Sequence, residues 1–520
     1  MLTFGKLIRR NGTHWAAKDA FVDAARRLTW GDYHTRTDAL GHAMRRMDVS
    51  PGDRVAVLAS DCVEVAETFG ACMKIGAVRV GLNPRLAAPE VRALVADCAP
   101  RIIFVQSEHL PLLEGADLSL GGPHAGQSHV RVIEFGTSAS GEYERLVTAG
   151  LAEPALIQTP HDVAMIAYTT GSTGLPKGAI YPHAGFLTST LYIALCEGID
   201  AETRWLHAMP AAGIPLMHMM RNVFHAAATV IVAPWNAERA LRLIERERTT
   251  NTVLVPTMLN SLLESPLLGQ TDVSSLRLIG YGASPLPPAT IREAMAAFGR
   301  PFLQMFGTTE LMGMSMMLMP SDHRRGLSSR PEILASAGKP LPFVDVRIVD
   351  DDGRPLPMNE TGELVVRAEV AFAGYWNAPD KDREVIRDGW IHTGDMARVD
   401  EEGYVYLRDR AKFRIKTGGY NVFPTEVENV LAEHPAVNEV AVVGLPDARW
   451  GERIHAVVSL AAGSSVSAED LRAFCRDKIA DYKVPKSVEI WAELPKGPTG
   501  KIQKRNILEH YAGREREGGK

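Results

Sequence analysis

Short apolar runs that alternate with helical stretches constrain the fold of this chain more than any other sequence feature. Each run is long enough for one buried strand, and helical connections between such strands produce parallel sheets with helices on both faces. The chain has 520 residues, which exceeds the size of one hydrophobic core. The expected fold class is therefore α/β, with doubly wound sheets in a large N-terminal domain. The runs lie at 55–58, 102–105, 163–167, 230–232, 253–255 and 278–280.

From about residue 340 the pattern changes. Segments 346–353 and 404–407 each lie beside an acidic turn that contains glycine, which predicts the hairpins of a small β-barrel-like subdomain. Beyond residue 410, Pro424 opens one helix and Ser467 caps another, with Asp470 at the capping-box position. We therefore expect an N-terminal domain over 1–409, a domain boundary at 410–412 and a small C-terminal α+β domain over 413–520.

The composition excludes several classes of protein. A formal net charge of −5 gives no basic surface, so nucleic acid is not an expected partner. The five cysteines include no C-x-x-C pair, which argues against a zinc site or a disulfide framework and fits a reducing, cytoplasmic location. The start of the chain lacks a signal-peptide core, and no apolar run is long enough for an integral membrane segment. A homodimer is compatible with the sequence.

The stretch "YTTGSTGLPKGAI" at 168–180 combines glycines, hydroxyls and a lysine directly after an apolar run. Glycines let the backbone approach a ligand, hydroxyl and N–H groups donate to phosphate oxygens, and Lys177 adds a charge. The spacing differs from the Walker loop, because Pro176 stands where glycine is required and Gly178 replaces the hydroxyl after the lysine. The loop chemistry indicates phosphate binding, although a flexible connection is equally compatible with it.

Two further segments carry residue types suited to a nucleotide. "GYGASP" at 280–285 follows a strand and could edge a flat ring, or it could form an ordinary strand-to-helix turn. "FLQMFGTTE" at 302–310 offers an aromatic face, hydroxyls and Glu310. That carboxylate could hold Mg²⁺ beside phosphates, since Mg²⁺ takes few protein carboxylates, or it could cap a helix.

Two segments nearer the C-terminus complete the set. In "DGWIHTGD" at 388–395, Asp395 could accept the hydroxyls of a ribose, or it could be a turn aspartate. In "LPKGPTGKIQK" at 494–504, Lys501 lies on a Pro/Gly loop, where a lysine is usually only solvated.

Taken together and in this order, the motifs resemble the adenylate-forming superfamily of acyl-CoA synthetases, adenylation domains and luciferases. The matching motifs occur in the same order as in the family, and the resemblance covers nearly the whole chain. It implies a ligase that uses ATP and Mg²⁺ to adenylate a carboxylate, releases pyrophosphate and passes the acyl group to a thiol such as CoA. The matching motifs are "YTTGSTGLPKG", "YGASPL", "FGTTE", "GYWNAP", "WIHTGD", "RDRAKFRIKTGGYNVFPTEVE" and "PTGKIQK".

The resemblance also implies roles for individual residues. Thr173, Lys177, Glu310 and Lys501 match catalytic positions, Glu310 being the magnesium ligand. Phe306 would stack on adenine where relatives commonly have tyrosine. The positions implied in ATP binding are Thr169, Thr170, Gly171, Ser172, Thr173, Lys177, Gly282, Ala283, Ser284, Phe306, Gly307, Thr308, Thr309, Asp395, Arg410, Lys416 and Lys501. Lys412 matches the family hinge, which implies a hinge at 410–412 and a mobile C-terminal domain. Gly418, Gly419 and Asn421 match positions that contact CoA.

The acyl pocket departs from the family pattern. Relatives often have Leu-Pro-Leu-Phe-His where this chain has "MPAAG" at 209–213, which predicts a roomier pocket. Nearby methionines could form a pliable wall or simply fill the core, and His218 could replace the missing histidine or be structural. The pocket residues implied are Ala211, Ala212, Gly213, His218, Gly282 and Met312.

The segment 209–220 has no aspartate for the ammonium group of an amino acid. We therefore expect a hydrophobic carboxylic acid, aromatic or medium-to-long aliphatic, to be converted to its CoA thioester. Three alternatives stay open. They are delivery of the adenylate to a carrier protein or another nucleophile, activation of a different oxyanion, and a non-enzymatic nucleotide-binding scaffold.

Overall fold

The computed structural model of the chain describes most of its length and shows a mixed α/β architecture, which confirms the predicted fold class. The described residues are 2–119, 129–136, 141–149, 162–169, 176–284, 286–313, 315–410, 413, 415–417, 420–447, 450–476, 478–497 and 500–517. No helix in these ranges combines the length and apolar character that a membrane crossing requires.

Strands up to Pro340 build the two large sheets. They are β1 (Asp19–Val22), β2 (Arg27–Thr29), β3 (Arg54–Leu58), β4 (Val78–Leu82), β5 (Ile102–Gln106), β6 (Arg131–Phe135), β7 (Val163–Tyr168), β8 (Gly178–Pro182), β9 (Arg204–His207), β10 (Ala228–Ile231), β11 (Asn251–Leu254), β12 (Leu278–Gly282), β13 (Phe302–Phe306), β14 (Met316–Leu318) and β15 (Lys339–Pro340).

The later strands build two smaller sheets. They are β16 (Val344–Val349), β17 (Gly362–Ala368), β18 (Ile386–Arg387), β19 (Trp390–Val399), β20 (Val405–Arg410), β21 (Ile415–Thr417), β22 (Tyr420–Val422), β23 (Val437–Asp447), β24 (Gly451–Leu460) and β25 (Ser487–Ile490).

Helices connect the strands and cover the sheets. They are α1 (Phe4–His14), α2 (Trp30–Arg46), α3 (Val63–Ile75), α4 (Ala88–Cys98), α5 (Glu142–Thr148), α6 (His183–Cys196), α7 (Leu216–Met220), α8 (Ala237–Glu247), α9 (Pro256–Leu263), α10 (Pro288–Phe298), α11 (Pro320–Ser328), α12 (Pro379–Val385), α13 (Pro424–Leu431), α14 (Ala468–Arg476) and α15 (Lys504–Glu517).

Sheet A has the strand order β15-β14-β13-β12-β11-β9-β10-β1-β2, and sheet B has the order β6-β5-β3-β4-β7-β8. The central strands of both sheets are parallel, as the apolar runs predicted. Strands β2, β8 and β15 at the edges, and β14 next to β15, pair antiparallel. One consequence is that the Gly/Ser/Thr loop joins β7 to β8 as a hairpin connection.

Helix α3 is buried along its whole length because it packs between β1 of sheet A and β3 and β4 of sheet B. A helix buried all round must pair its charged side chains. Glu67 bonds to Arg36 and to the hydroxyl of Tyr143, and the Lys74 Nζ lies 2.5 Å from Asp38. The ion pairs attach α3 to α2, and the hydrogen bond from Tyr143 attaches it to α5. Residues of both sheets belong to one large core.

The two smaller sheets follow in sequence. Sheet C, with the order β16-β17-β19-β18 and β20 paired to β19, is antiparallel. Sheet D, with the order β22-β21-β24-β23 and β25 paired to β24, has its own core with α13 and α14. Ser467 caps α14 as predicted, because its Oγ accepts the Asp470 N–H at 3.1 Å. Phe474 of α14 is half-buried and contacts the His434 ring edge-on.

Two glycines with similar backbone angles provide a test of this packing. Gly338 has φ +85° and a Cβ there would lie 2.0 Å from the Met317 carbonyl carbon, whereas Gly353 has φ +80° and open space around it. We expect Gly353→Ala to cost about 1–2 kcal/mol for the left-handed conformation and Gly338→Ala to cost about 1–3 kcal/mol more for the overlap. Melting temperatures of the two variants measured side by side check this, and equal decreases would contradict it.

Candidate active site

The loop between β7 and β8 begins with a closed base. The Thr169 N–H donates to the Lys177 carbonyl at 2.8 Å, so both residues sit at the neck of the hairpin. Thr170, Gly171, Ser172 and Thr173 lie outside the described residues. The Lys177 Nζ lies 5.2 Å from the centroid of the Tyr375 ring, a distance at which a cation interacts with an aromatic face.

Tyr375 joins the neck of this loop to Glu310. Its hydroxyl donates to Glu310 Oε1, while the Phe372 N–H donates to the Glu310 carbonyl at 3.0 Å. Burial and then the Glu310 charge raise the pKa of Tyr375, so the phenol remains a proton donor at neutral pH. Tyr181 on β8 adds a second link, because its hydroxyl donates to the Thr309 carbonyl at 2.7 Å.

A family motif contains Tyr375, but nothing in the sequence indicates what this tyrosine does. Tyr375 belongs to "GYWNAP", which was matched as a motif without a role for any of its residues. Its importance depends on a hydrogen bond to a residue far away in the chain, and such a contact is visible only in the fold.

Glu310 is the carboxylate available for a metal at this place. Within the described ranges there is no group of three or more His, Cys, Asp or Glu side chains that could hold an ion. A single carboxylate fits Mg²⁺, which completes its octahedron with water and phosphate oxygens and is seldom enclosed by protein ligands alone. Glu310 has no ion pair with a described cation, so its charge is not already neutralised.

The predicted adenine segment lies at the ends of two adjacent strands. β12 ends at Gly282 and β13 at Phe306, and the two run parallel, so both chains leave sheet A at the same edge. A Cβ at Gly282 would lie 2.5 Å from the Met305 carbonyl oxygen, which explains why glycine is needed there. Ala283 turns the chain out of the sheet with φ +69°, and Ser284 follows it.

The residues after Phe306 bring polar atoms to this edge. Gly307, Thr308 and Thr309 lead directly to Glu310. The Thr308 Oγ1 is buried and has no hydrogen-bond partner among the described residues. A buried hydroxyl without a partner is costly, and a ligand oxygen at this edge would satisfy it.

Asp395, predicted to bind a ribose, and Arg410, predicted to bind ATP, are adjacent in the fold. Asp395 on β19 and Arg410 on β20 are Cα partners across the strand pair. The Asp395 N–H donates to Thr393 Oγ1 at 3.1 Å, while the Arg410 side chain lies outside the description. Lys416 and Asn421 are partners across β21 and β22, and the Lys416 side chain is exposed. Lys412, Gly418 and Gly419 lie outside the described residues.

The loop that carries Lys501 contacts sheet A. A Cβ at Gly500 would lie 3.2 Å from Thr257 Oγ1 and 3.7 Å from Val255 Cγ2. Val255 directly follows β11, the parallel neighbour of β12. The Lys501 loop therefore lies at the sheet edge where Gly282 and Phe306 end.

Met312, one of the predicted acyl residues, packs against α6. A Cβ at Gly185 on α6 would lie 2.9 Å from Met312 Cε, and the Ser189 Oγ donates to the Met312 carbonyl at 3.3 Å. A Cβ at Gly313 would lie 2.5 Å from the Ile214 side chain, directly after Gly213. The methionines around this place that the structure describes are buried: Met217, Met219, Met220, Met312, Met316 and Met317.

His218 has a structural environment. Its ring stacks on Trp205 with centroids 6.2 Å apart, and its Nδ1 lies 2.6 Å from the Arg221 Nη1. Burial and then the positive charge of Arg221 lower the pKa of His218, so the ring is neutral. Of the two readings of His218 left open by the sequence, the geometry favours the structural one.

Together, the neck of the β7–β8 hairpin, the Glu310 carboxylate and the loop of Lys501 lie near the strand ends of sheet A, an arrangement suited to a nucleotide-dependent ligase. A family model described as AMP-binding enzyme matches residues 8–376, and one described as AMP-binding enzyme C-terminal domain matches residues 426–501. The chain therefore belongs to the adenylate-forming superfamily of AMP-binding enzymes, as the motifs predicted, and it is an AMP-forming ligase.

Three relatives illustrate the range of this family. The chain is 35% identical to the fatty acid–[acyl-carrier-protein] ligase ScoC of Streptomyces coeruleorubidus, over 96% of this chain and 95% of ScoC. It is 34% identical to a feruloyl-CoA synthase of Amycolatopsis, over 93% of this chain and 94% of that protein. The structure of the amide bond synthetase McbA from Marinactinospora thermotolerans is similar with a TM-score of 0.84 and 30% identity, covering 97% and 99% of the two chains.

The link between Tyr375 and Glu310 generates a prediction. Tyr375→Phe keeps the ring beside Lys177 but removes the hydroxyl that orients Glu310. Hydrogen bonds to charged groups contribute about 1.5–3 kcal/mol, so we expect kcat/KM for ATP to fall about tenfold or more, with a raised Mg²⁺ requirement. Pyrophosphate release measured across Mg²⁺ concentrations checks this.

Tyr143→Phe is the matched control, because it removes a tyrosine hydroxyl donated to Glu67, a carboxylate outside the site. It should leave the Mg²⁺ dependence unchanged. The same loss in both variants would show that Tyr375 acts only on stability.

Proposed function

We propose that the protein is an ATP-dependent carboxylate–CoA ligase that activates a hydrophobic carboxylic acid. The observation that carries the proposal is the meeting of three parts at one edge of sheet A. These are the Gly282–Ser284 turn, the Lys177–Tyr375–Glu310 group and the loop of Lys501. This arrangement supports a reaction between a nucleotide triphosphate and a second small molecule held beside it.

The first step is adenylation. A carboxylate oxygen of the acid attacks the α-phosphorus of ATP, the bond from that phosphorus to the bridging oxygen breaks, and pyrophosphate leaves. Negative charge concentrates in this transition state, so prearranged cations and donors supply most of the acceleration. Thr169 and Lys177 would hold the β- and γ-phosphates together with Thr170, Gly171, Ser172 and Thr173. Glu310 would hold Mg²⁺, which neutralises phosphate charge when bound.

The nucleotide base and sugar have their own residues in this proposal. Gly282, Ala283 and Ser284 would line adenine, with Phe306 stacked on the ring and Gly307 beside it. Thr308 and Thr309 would donate near the α-phosphate, which would satisfy the buried Thr308 hydroxyl. Asp395 and Arg410 would bind the ribose hydroxyls, and Lys416 would contact the nucleotide from the second domain.

The second step transfers the acyl group. The CoA sulfur attacks the acyl carbon, the thiol proton is lost to solvent, and AMP leaves with the mixed-anhydride oxygen. We propose that 413–520 turns about Lys412 between the steps and that Gly418, Gly419 and Asn421 then border the pantetheine arm. Glycines suit such a passage because they present no side chain. The division at 410–412 remains part of this proposal.

The acid is proposed to be hydrophobic, aromatic or medium-to-long aliphatic. Ala211, Ala212, Gly213, Gly282 and Met312 would border it, and these residues are small or apolar. Met312 and Met217 are flexible side chains that can change rotamer to admit acids of different shape.

A carrier protein is the second candidate acceptor. It is favoured by the relative ScoC, whose name records an acyl-carrier-protein ligase at 35% identity, a value close to that of the feruloyl-CoA synthase. Another nucleophile is a third possibility, since a similar structure is an amide bond synthetase.

Lys501 tests the adenylation step. We expect Lys501→Ala to lower the rate of ATP–pyrophosphate exchange about 10²–10³-fold, because the lysine stabilises charge that develops in the transition state. The affinity for ATP should change little. Lys496→Ala is a matched control on the same loop, since Lys496 is paired with Glu439. Exchange rates and calorimetric ATP affinity of both variants check this, and Lys501→Ala exchange at the parent rate would exclude the assigned role.

A single experiment separates the acceptors. The protein is incubated with ATP, Mg²⁺ and mixed acids, together with CoA, a phosphopantetheinylated acyl carrier protein or an alkylamine. Mass spectrometry then identifies acyl products, and free AMP is measured in parallel. We expect acyl-CoA with stoichiometric AMP. Acyl carrier product without acyl-CoA would replace CoA as the acceptor, and absence of AMP with every acid would reject the ligase itself.

A further inference from the structure

Asp61 anchors the backbone of the acyl segment, which is defined as residues 209–213. Asp61 lies between β3 and α3, and its Oδ1 accepts the Ala211 N–H at 2.8 Å. Its Oδ2 lies 3.2 Å from Nε2 of His207, the last residue of β9. The side chains of Asp61 and His207 are 7% and 1% exposed, so this anchor is shielded from water. The carboxylate therefore fixes one side of the segment to the core.

Strand β4 of sheet B, the neighbour of β3, also contacts the acyl segment. A Cβ at Gly81 would lie 1.9 Å from the Ala212 carbonyl oxygen and 2.4 Å from the Arg79 Nη1. Real Cβ atoms do not approach other atoms this closely, so any side chain at this position would displace its neighbours. The Ala212 carbonyl belongs to the backbone that Asp61 holds, and it cannot rotate away as a side chain could. Glycine at position 81 therefore allows the backbone of the acyl segment to pack directly against strand β4 of sheet B.

The Arg79 guanidinium lies next to Gly81. Its guanidinium is almost fully buried, and its Nη1 donates a long hydrogen bond of 3.4 Å to the Ala212 carbonyl. Its Nε has no partner among the described residues. Burial lowers the pKa of Arg79 to about 10, which leaves the group charged at neutral pH, and the nearby Asp61 charge opposes the shift. A buried cation of this kind tolerates little movement of the oxygen that it contacts.

We propose that Gly81 sets the depth of the acyl site and thereby which acids the enzyme accepts, with Arg79 and Asp61 as the positioning residues of the acyl segment. This inference rests on the proposed function, because it takes residues 209–213 as a wall of the acid pocket. With glycine at position 81, residues 209–213 lie close to sheet B, and the pocket is deep enough to admit bulky or long acids. A methyl group there pushes the Ala212 carbonyl forward and shortens the pocket.

The test compares Gly81→Ala with Gly269→Ala, a glycine with no atom within 4 Å of its would-be Cβ. Pyrophosphate release is measured with straight-chain acids from butanoic to hexadecanoic and with benzoic and naphthoic acids. One methylene in an apolar pocket is worth roughly 10–200-fold in kcat/KM. We expect the preference for the largest over the smallest accepted acid to fall at least about tenfold in Gly81→Ala, with KM for ATP unchanged. Gly269→Ala should match the parent.

An equal loss for all acids, or an unchanged preference, would overturn the inference. Arg79→Met serves as a second variant because it leaves Gly81 and its space intact while removing the donor to Ala212. It should also change the acid preference without changing KM for ATP, and an unchanged preference would again overturn the inference. Melting temperatures identify a variant that is merely unfolded.

Hydrogen–deuterium exchange separates failure of this inference from failure of the proposed function. Exchange in the peptide that contains Ala211 reports on the bond to Asp61 and needs no substrate. We expect faster exchange there in Gly81→Ala and parent-like exchange in Gly269→Ala. A parent protein that activates no acid would reject the proposed function, whereas unchanged exchange in Gly81→Ala would reject the contact on which this inference depends.

Discussion

The parallel pairing of β11, β12 and β13 is the constraint on which the site depends. Parallel strands end at a common edge, so Val255, Gly282 and Phe306 emerge side by side although they are distant in sequence. The close approach of Gly282 to the Met305 carbonyl keeps two of these strands together up to their last residues. Tyr181 of sheet B and Tyr375 then contact the Thr309–Glu310 segment that follows this edge, and Gly500 lies beside Val255.

The fold could be predicted largely from the sequence because parallel strands buried on both faces leave uninterrupted apolar runs. The runs at 163–167 and 278–280 coincide with β7 and β12 to within about two residues. The antiparallel edge strands were harder to predict. β8 follows a glycine-rich loop and alternates buried with half-buried residues, so its pairing to β7 depends on the sheet rather than on its own composition.

The site could be predicted in part. Glu310, Asp395 and Lys501 are each compatible with a cap, a turn or a solvated loop, and only the collinear order of their motifs distinguishes them. Tyr375 and Gly81 could not be assigned roles, because each acts through a contact with a residue over sixty positions away in the chain. The Tyr375 hydroxyl orients the Glu310 carboxylate, and the missing side chain of Gly81 leaves room for the Ala212 carbonyl. Neither contact produces a periodicity or a spacing that can be read from a sequence.

Tyr375 also resolves an electrostatic difficulty of the site. A lysine and a glutamate placed together in a half-buried site would pair with each other, and neither charge would then be available to a ligand. Here the phenol ring lies between them, with Lys177 over its face and Glu310 at its hydroxyl. The phenol is uncharged, so it orients the carboxylate without neutralising it. Lys177 and Glu310 therefore do not form an ion pair with each other, and a chain with a net charge of −5 presents a cation locally beside this carboxylate.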